Sequence, residues 1–384
     1  MSKRSERTMN TAETTSDPLD RAAKSGSAGT RSAATSPDWA EVALGAVLDR
    51  AAVTYAAVGE RFPLYADGPS GVWTTTSKGS WTGGFWAGLL WLRAGYTGSA
   101  ADRSAAAAVT GRLACWVEAD TSTRGLILWY GTAVAAASGE VGATRLRGEA
   151  ARACLAGFDH ELGVLPWGSV FGGERLSARV DGVPGVVPLL GSMADAGRVA
   201  ARSHMDTQLR LWQTEPVGAP AWRRANGEWT PGLSPRAGWS RGRAWLLLAL
   251  ADAAWHLDMG YAAVAEQMVD TGLPLVPSAE AVPGCGALDT SAAAIEAVAL
   301  FKLAAVQEFP EHAACLRGRA VEIVRCLVET YLSGPGGARP PGMLLNGCYD
   351  LDRGLATSHE LIWGNYFLTL ALAIHTGSVA PFDT

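Results

Sequence analysis

Residues 244–255, Ala244-Trp-Leu-Leu-Leu-Ala-Leu-Ala-Asp-Ala-Ala-Trp255, decide the fold. The run is rich in leucine and alanine, both good helix formers, and holds no glycine or proline. As a helix it has no polar face, so it must be buried on all sides. Asp252 interrupts it far short of the roughly 20 apolar residues a membrane span requires, which makes it a core helix. Residues 85–92, 127–137, 187–196, 292–305 and 362–374 are likewise apolar or small nearly all round.

Between these runs lie segments with one charged face, at 39–58, 101–118, 144–155, 199–211, 261–269 and 311–332. An outer helix that buries one stripe alternates, six times, with an inner helix that buries everything. The pattern predicts an all-α (α/α)6 barrel, a six-hairpin toroid, over residues 38–384. An open helical solenoid needs capping repeats and a closer internal repeat, and the sequence has neither. Residues 1–37, rich in Ser, Thr, Ala and Gly, offer too little apolar surface to offset chain entropy, so a disordered tail is expected there.

A net charge of −5, with arginines scattered along the chain, argues against a nucleic-acid partner. The tail has no apolar core of the signal-peptide kind, and no run is long enough for a membrane. The six cysteines form no CxxC pair, and several sit in apolar helical runs where a thiol acts as a small hydrophobe. A reduced, cytoplasmic protein is expected. No His-Glu-x-x-His, Cys/His cluster or phosphate-binding glycine loop occurs, so no metal and no cofactor is expected. Gly238-Trp-Ser-Arg-Gly242 has the form Gly-x-Ser-x-Gly, but no strand is readable ahead of it, as a nucleophile elbow demands.

Of the fifteen tryptophans, eight concentrate in the loops before the inner helices and in their first turns, with Tyr130 and Tyr366 beside them. Trp81, Trp86, Trp129, Trp167, Trp239 and Trp245 are examples. Since those loops open at one end of the ring, an aromatic bowl is expected there, suited to the apolar faces of a small saccharide.

Four motifs carry a resemblance. Trp81-Thr-Gly-Gly-Phe-Trp-Ala-Gly-Leu-Leu-Trp91, Trp239-Ser-Arg-Gly-Arg-Ala-Trp245, Asp289-Thr-Ser-Ala-Ala-Ala-Ile295 and Trp363-Gly-Asn-Tyr-Phe367 resemble, in the same order, motifs of unsaturated glucuronyl hydrolases. The resemblance implies a glycoside hydrolase-like enzyme that hydrates a 4,5-unsaturated uronide. A carboxylic acid protonates the C4=C5 vinyl ether, water adds at C5, and the hemiketal opens to expel the aglycone. It assigns the acid/base role to Asp181, in Arg179-Val-Asp-Gly-Val-Pro-Gly, with Trp167 upstream as a pocket residue. Arg241 and Trp245 match an Arg-Gly-x-Ala-Trp motif, so Arg241 is expected to hold the uronate carboxylate in a planar fork with Trp245 beneath the ring. Asp289 reads as the N-cap of the fifth inner helix.

The polar pocket departs from the family pattern. A second pocket Asp falls on Thr123, and Asp120, three residues away, is the nearest carboxylate to replace it. A His-Gln pair is here Thr230-Pro231; a pocket His falls near Ala221, and His204 matches a different, helix-borne one. Three readings follow: hydration of an unsaturated uronide or related sugar acid, a repurposed barrel enzyme of a biosynthetic pathway, or a sugar-binding protein without turnover.

Overall fold

The computed structural model describes residues 38–384 other than 282, 283 and 285, and the tail expected at 1–37 lies outside the described residues. Among the described residues twelve α-helices follow one another. They are α1 (Trp39–Val58), α2 (Gly83–Thr97), α3 (Ala100–Gly111), α4 (Ala133–Ala137), α5 (Val141–Ala156) and α6 (Val186–Gly191), then α7 (Asp195–Gln213), α8 (Ser240–His256), α9 (Gly260–Met268), α10 (Thr290–Val306), α11 (Pro310–Cys326) and α12 (Ile362–His375).

The even-numbered helices form a closed inner ring. α2 packs on α4 and on the π-helical turn Gly125–Trp129 just ahead of it, that turn packs on α6, and α6 on α8. α8 packs on α10, α10 on α12, and α12 returns to α2. The odd-numbered helices lie against them from outside: α7 touches α6 and α8, for example, and α11 touches α10 and α12. This is the (α/α)6 barrel.

Burial follows the sequence pattern. Every residue from Ala244 to Ala254 of α8 and from Thr290 to Ala304 of α10 is buried. In α7 the buried positions are Gly197, Ala200, Ala201, His204, Met205, Gln208 and Leu211, among others, at helical spacing on one face. The lone charge of the opening run is paired: Lys302 Nζ donates to Asp252 Oδ1 (2.7 Å) and to the Thr384 carbonyl (2.6 Å). Both side chains are fully buried, so each depends on the other for compensation. Gly84 and Gly88 let α2 lie against the second repeat, since a Cβ would stand 2.2 Å from the Ile127 carbonyl oxygen at one and 2.5 Å from that of Tyr130 at the other.

The two ends of the ring differ. Inner helices pass to the next outer helix through short turns: 98–99, 138–140, 192–194, 257–259 and 307–309. Outer helices pass to inner ones through long connections, such as 59–82, 157–185, 214–239 and 269–289. These connections carry two small antiparallel sheets that the helical reading did not anticipate. β1 (Phe62–Ala66) lies between β2 (Trp73–Thr76) and β6 (Glu360–Leu361), and β4 (Ala221–Ala225) between β3 (Ser177–Arg179) and β5 (Glu228–Pro231). The register Ala66↔Glu360 joins the first repeat to the last, and Arg179↔Ala221 joins the third to the fourth.

Among the described residues no helix is long and apolar enough to cross a membrane. Cys154 and Cys348 are buried, Cys326 is half-buried, and Cys115 and Cys315 are exposed, while Cys285 lies outside the described residues. Burial pushes the Cys154 thiol up to about 11, so it packs as an inert hydrophobe.

Candidate active site

The long connections enclose a cleft of about 350 Å³ at the N-terminal ends of the inner helices. Trp81, Thr123, Trp167, Asp181, Arg241 and Trp245 all line it. Three other expected site residues do not. Trp86 and Trp129 are 1% and 3% exposed and belong to the main hydrophobic core. An inner helix buries both faces, so a tryptophan a turn too deep is indistinguishable in sequence from one at the rim. Asp120 is the third: it accepts hydrogen bonds from Ser169 N–H and Oγ and from Arg175 Nε (2.9 Å), outside the cleft. Partial burial opposes its ionisation, but the bonds from Arg175 and Ser169 outweigh it and hold the carboxyl below the usual range. It fastens the loop after Trp167 and does not replace the carboxylate missing at Thr123.

Thr123 is 1% exposed, and its hydroxyl lies 2.9 Å from that of Thr121. A neutral hydroxyl pair thus stands where the resemblance places a charged group.

Arg241 requires the largest correction. Its Nη1 donates to Asp289 Oδ2 and to the Cys348 carbonyl, and its Nη2 to the Tyr349 carbonyl at 2.7 Å. The guanidinium carbon lies 5.0 Å from the centroid of the Trp239 ring and 5.4 Å from that of Trp363. With 4% of its side chain exposed, it is already committed to the protein and is not a free fork for a substrate. Asp289 caps α10 as expected, accepting from Ser291 N–H (3.1 Å), and Ser291 Oγ in turn accepts from Trp363 Nε1 (2.9 Å). Trp81 Nε1 donates to the Tyr349 hydroxyl (3.0 Å), and its ring packs on Trp363 (4.8 Å). All four quoted motifs therefore meet in one network joining α2, α8, α10 and α12. Asn365 belongs to the same frame: its Nδ2 donates to Glu360 Oε1, and Glu360 holds Arg50 in a bidentate pair. The motifs that carry the resemblance are mainly the fastening of the ring.

Asp181 lies in a short turn between β3 and α6. Arg179, two residues earlier, holds it by both oxygens: Nε to Oδ1 at 2.9 Å and Nη2 to Oδ2 at 2.7 Å. The Arg179 guanidinium lies over the Trp167 ring, 4.0 Å from its centroid. The pair is partly open to the cleft, with 22% and 15% of the two side chains exposed. His204 supports this turn from beneath. Its Nδ1 accepts from Leu165 N–H (3.2 Å), which leaves Nε2 as the protonated nitrogen, and that donates to the Gly182 carbonyl (3.3 Å). Burial lowers the His204 imidazole to about 4, so it stays neutral.

Glu280 is a cleft residue the sequence did not single out. It is 8% exposed, lines the cleft, and makes no side-chain hydrogen bond or ion pair among the described residues. Burial raises its carboxyl, repulsion from Asp352 and Asp350 adds to this, and Arg236 works against it. No motif surrounds it; its only signal was an acid in the middle of the otherwise uncharged stretch 271–288. The cleft thus holds carboxyls in contrasting surroundings, Asp181 in a guanidinium fork and Glu280 without a side-chain partner among the described residues. Among the described residues no three His, Cys, Asp or Glu side chains are grouped as metal ligands would be.

No protein-family model matches this sequence, and no curated protein matches it. Solved structures do. An unsaturated glucuronyl hydrolase from Bacillus sp. GL1, responsible for the degradation of glycosaminoglycan, matches with a TM-score of 0.78 at 22% identity over 90% of this chain and 98% of that one. An unsaturated glucuronyl hydrolase specific for heparin matches at 0.77 and 19% identity, over 90% and 99%. The enzyme from Streptococcus agalactiae matches at 0.75 and 20% identity, over 89% and 92%, and a variant of it has been solved in complex with dGlcA-GalNAc6S. The chain thus has the fold of the unsaturated glucuronyl hydrolases over nearly its whole described length.

Proposed function

We propose that this chain is a hydrolase that hydrates a 4,5-unsaturated uronide or a related sugar acid in the cleft, with Asp181 as acid and base. The observation that carries this reading is the juxtaposition of Asp181, Arg179 and Trp167 in a cleft at the end of the ring where the long connections meet. An aromatic floor and a cation are what an acidic sugar ring requires, and a carboxyl beside them is what the chemistry requires.

The Asp181 proton goes to C4, and the C4=C5 π electrons form the new C–H bond. The cation left at C5 shares charge with the ring oxygen. Water bonds to C5, and its proton returns to Asp181. The hemiketal then collapses to a C5 ketone with rupture of the bond from C5 to the ring oxygen. This leaves a hemiacetal at C1 that expels the aglycone alcohol and becomes an aldehyde. One water is consumed, and one carboxyl is regenerated.

A second reading, sugar binding without turnover, is favoured by one observation: the hydroxyl of Thr123, bonded to Thr121, stands in place of the second carboxylate. Incubation with unsaturated glucuronyl disaccharides separates the two. The hydrolase consumes the ultraviolet absorbance of the conjugated double bond catalytically, whereas a binding protein leaves it unchanged however long it is incubated.

A further inference from the structure

We infer that Arg179 is an exchangeable latch: it holds Asp181 in the free protein and transfers to the carboxylate of an acidic sugar when one enters, releasing Asp181 to take up a proton. The inference rests on the acidic-sugar reading of the cleft and deepens it.

Arg241, the expected carboxylate fork, is excluded by its partners, since both Nη atoms are committed to Asp289 and to two backbone carbonyls. Arg353, which lines the cleft, and Arg236, which pairs with the cleft residue Asp352, are 80% and 66% exposed, and Arg353 pairs with Asp350. Among the described arginines lining the cleft, Arg179 alone combines partial burial, an aromatic shelf and an opening to the cleft. Trp167 fixes the plane of the guanidinium, and its own Nε1 is anchored on the Gly172 carbonyl at 2.8 Å. The fork therefore stays aimed while its partner changes. The backbone of Arg179 is held in β3 by pairing with Ala221, so exchange requires only side-chain motion.

The Asp181 carboxylate is chemically the same kind of ligand as a uronate, and it occupies the Nε and Nη2 edge of the guanidinium. A uronate that takes this edge must displace Asp181, because one edge holds only one carboxylate by both oxygens. Once displaced, Asp181 lies beside a second negative charge with its counter-ion gone, which favours its neutral form. The latch thus arms the acid only when a sugar bearing a carboxylate is present, and a neutral sugar leaves Asp181 paired with Arg179. Acidic-substrate specificity and proton loading become a single event.

Calorimetry with free glucuronate and glucose tests this without requiring turnover. In buffers of differing ionisation enthalpy, glucuronate binding near neutral pH is expected to draw up to one proton from the buffer, and glucose binding none. Asp181→Asn removes the internal competitor while leaving the fork. It should bind glucuronate about tenfold more tightly, within the ordinary range of coupling between two ligands of one group, with the proton uptake abolished. Arg179→Gln should lose the preference for glucuronate over glucose while its melting temperature stays near that of the wild type. The latch is overturned if Asp181→Asn binds glucuronate no more tightly than wild type, if Arg179→Gln keeps the preference, or if neither wild type nor Asp181→Asn binds glucuronate. Proton-linked glucuronate binding without turnover of any unsaturated uronide would sink the hydrolase reading alone. Turnover by the wild type without tighter binding by Asp181→Asn would sink the latch alone.

Discussion

The two ends of the barrel are built from the same helices yet do different things. At the short-turn end a cavity of about 390 Å³ is lined by Leu44, Leu48, Trp91, Leu92 and Val134, with Asp383 as its carboxyl. At the other end a cleft of about 350 Å³ contains Asp181, Glu280, Asp350 and Asp352 with Arg179, Arg241 and Arg353. Volume does not tell them apart; titratable chemistry does. An inner helix leaves by the shortest turn that returns the chain to the outer ring, and so little chain collects there. The incoming connections are long, and strands, tryptophans and charges all collect on them.

The largest expected effect that would break this comparison is on rate. Asp181→Asn should lower turnover of an unsaturated uronide by about two to four orders of magnitude, the usual worth of a general acid. Leu48→Ala at the opposite end should cost about 2–5 kcal/mol of stability through its cavity and leave the rate per folded molecule unchanged. Stopped or steady-state assays normalised to folded protein decide it, and comparable losses of rate for both variants would erase the distinction between the ends.

The next contrast lies within the cleft. Asp289→Ala strips the buried Arg241 of its counter-ion and should cost about 3–5 kcal/mol in chemical denaturation. Arg179→Gln, in a partly exposed pair, should cost far less. Equal costs would mean that Arg179 is structural as well.

Third in size is a pH effect. The folded-state value of His204, about 4, lies below the ordinary 6.5, so its contribution is complete above pH 6.5 and fades as pH falls toward 4. The loss over that window should be roughly 3 kcal/mol for a fully buried imidazole. His256, half-buried against Trp129, is shifted the same way. The comparison is therefore between wild type and His204→Gln, whose amide keeps one donor and one acceptor, and whose stability should decline less steeply below pH 6.5.

The smallest effect concerns Glu280. Its carboxyl is raised, so folding works against its ionisation above the ordinary glutamate range. Glu280→Gln should therefore leave stability at pH 7 unchanged or raise it by less than about 1 kcal/mol, while altering the pH profile of turnover. Thermal melting at pH 7 and at pH 4 is the check; a lower melting temperature at pH 7 would place Glu280 in the frame of the barrel.

The barrel was legible because inner helices lack a polar face, a signal that survives any choice of side chain. The misfits arise where local chemistry intervenes. The run read as 187–196 ends as a helix at Gly191, and Asp195 already begins the outer helix, because both stretches are apolar up to the turn. Residues 125–129 and 327–331 wind as π turns, and short strands form in the connections, with no periodicity long enough to announce them. The site was less legible. Arg241 looked available because its partner Asp289 lies in another motif, and only folding brings the two together. Arg179 stood inside a quoted motif but gained its meaning from Trp167 and Asp181 in space.

The most direct test follows two signals from one unsaturated disaccharide: the absorbance of the C4=C5 bond and the release of the reducing sugar. Hydration through Asp181 predicts that the wild type consumes the absorbance in step with sugar release, and that in Asp181→Asn the absorbance persists and no sugar is released. Release of the sugar with the double bond still absorbing, or undiminished turnover by Asp181→Asn, would contradict the account.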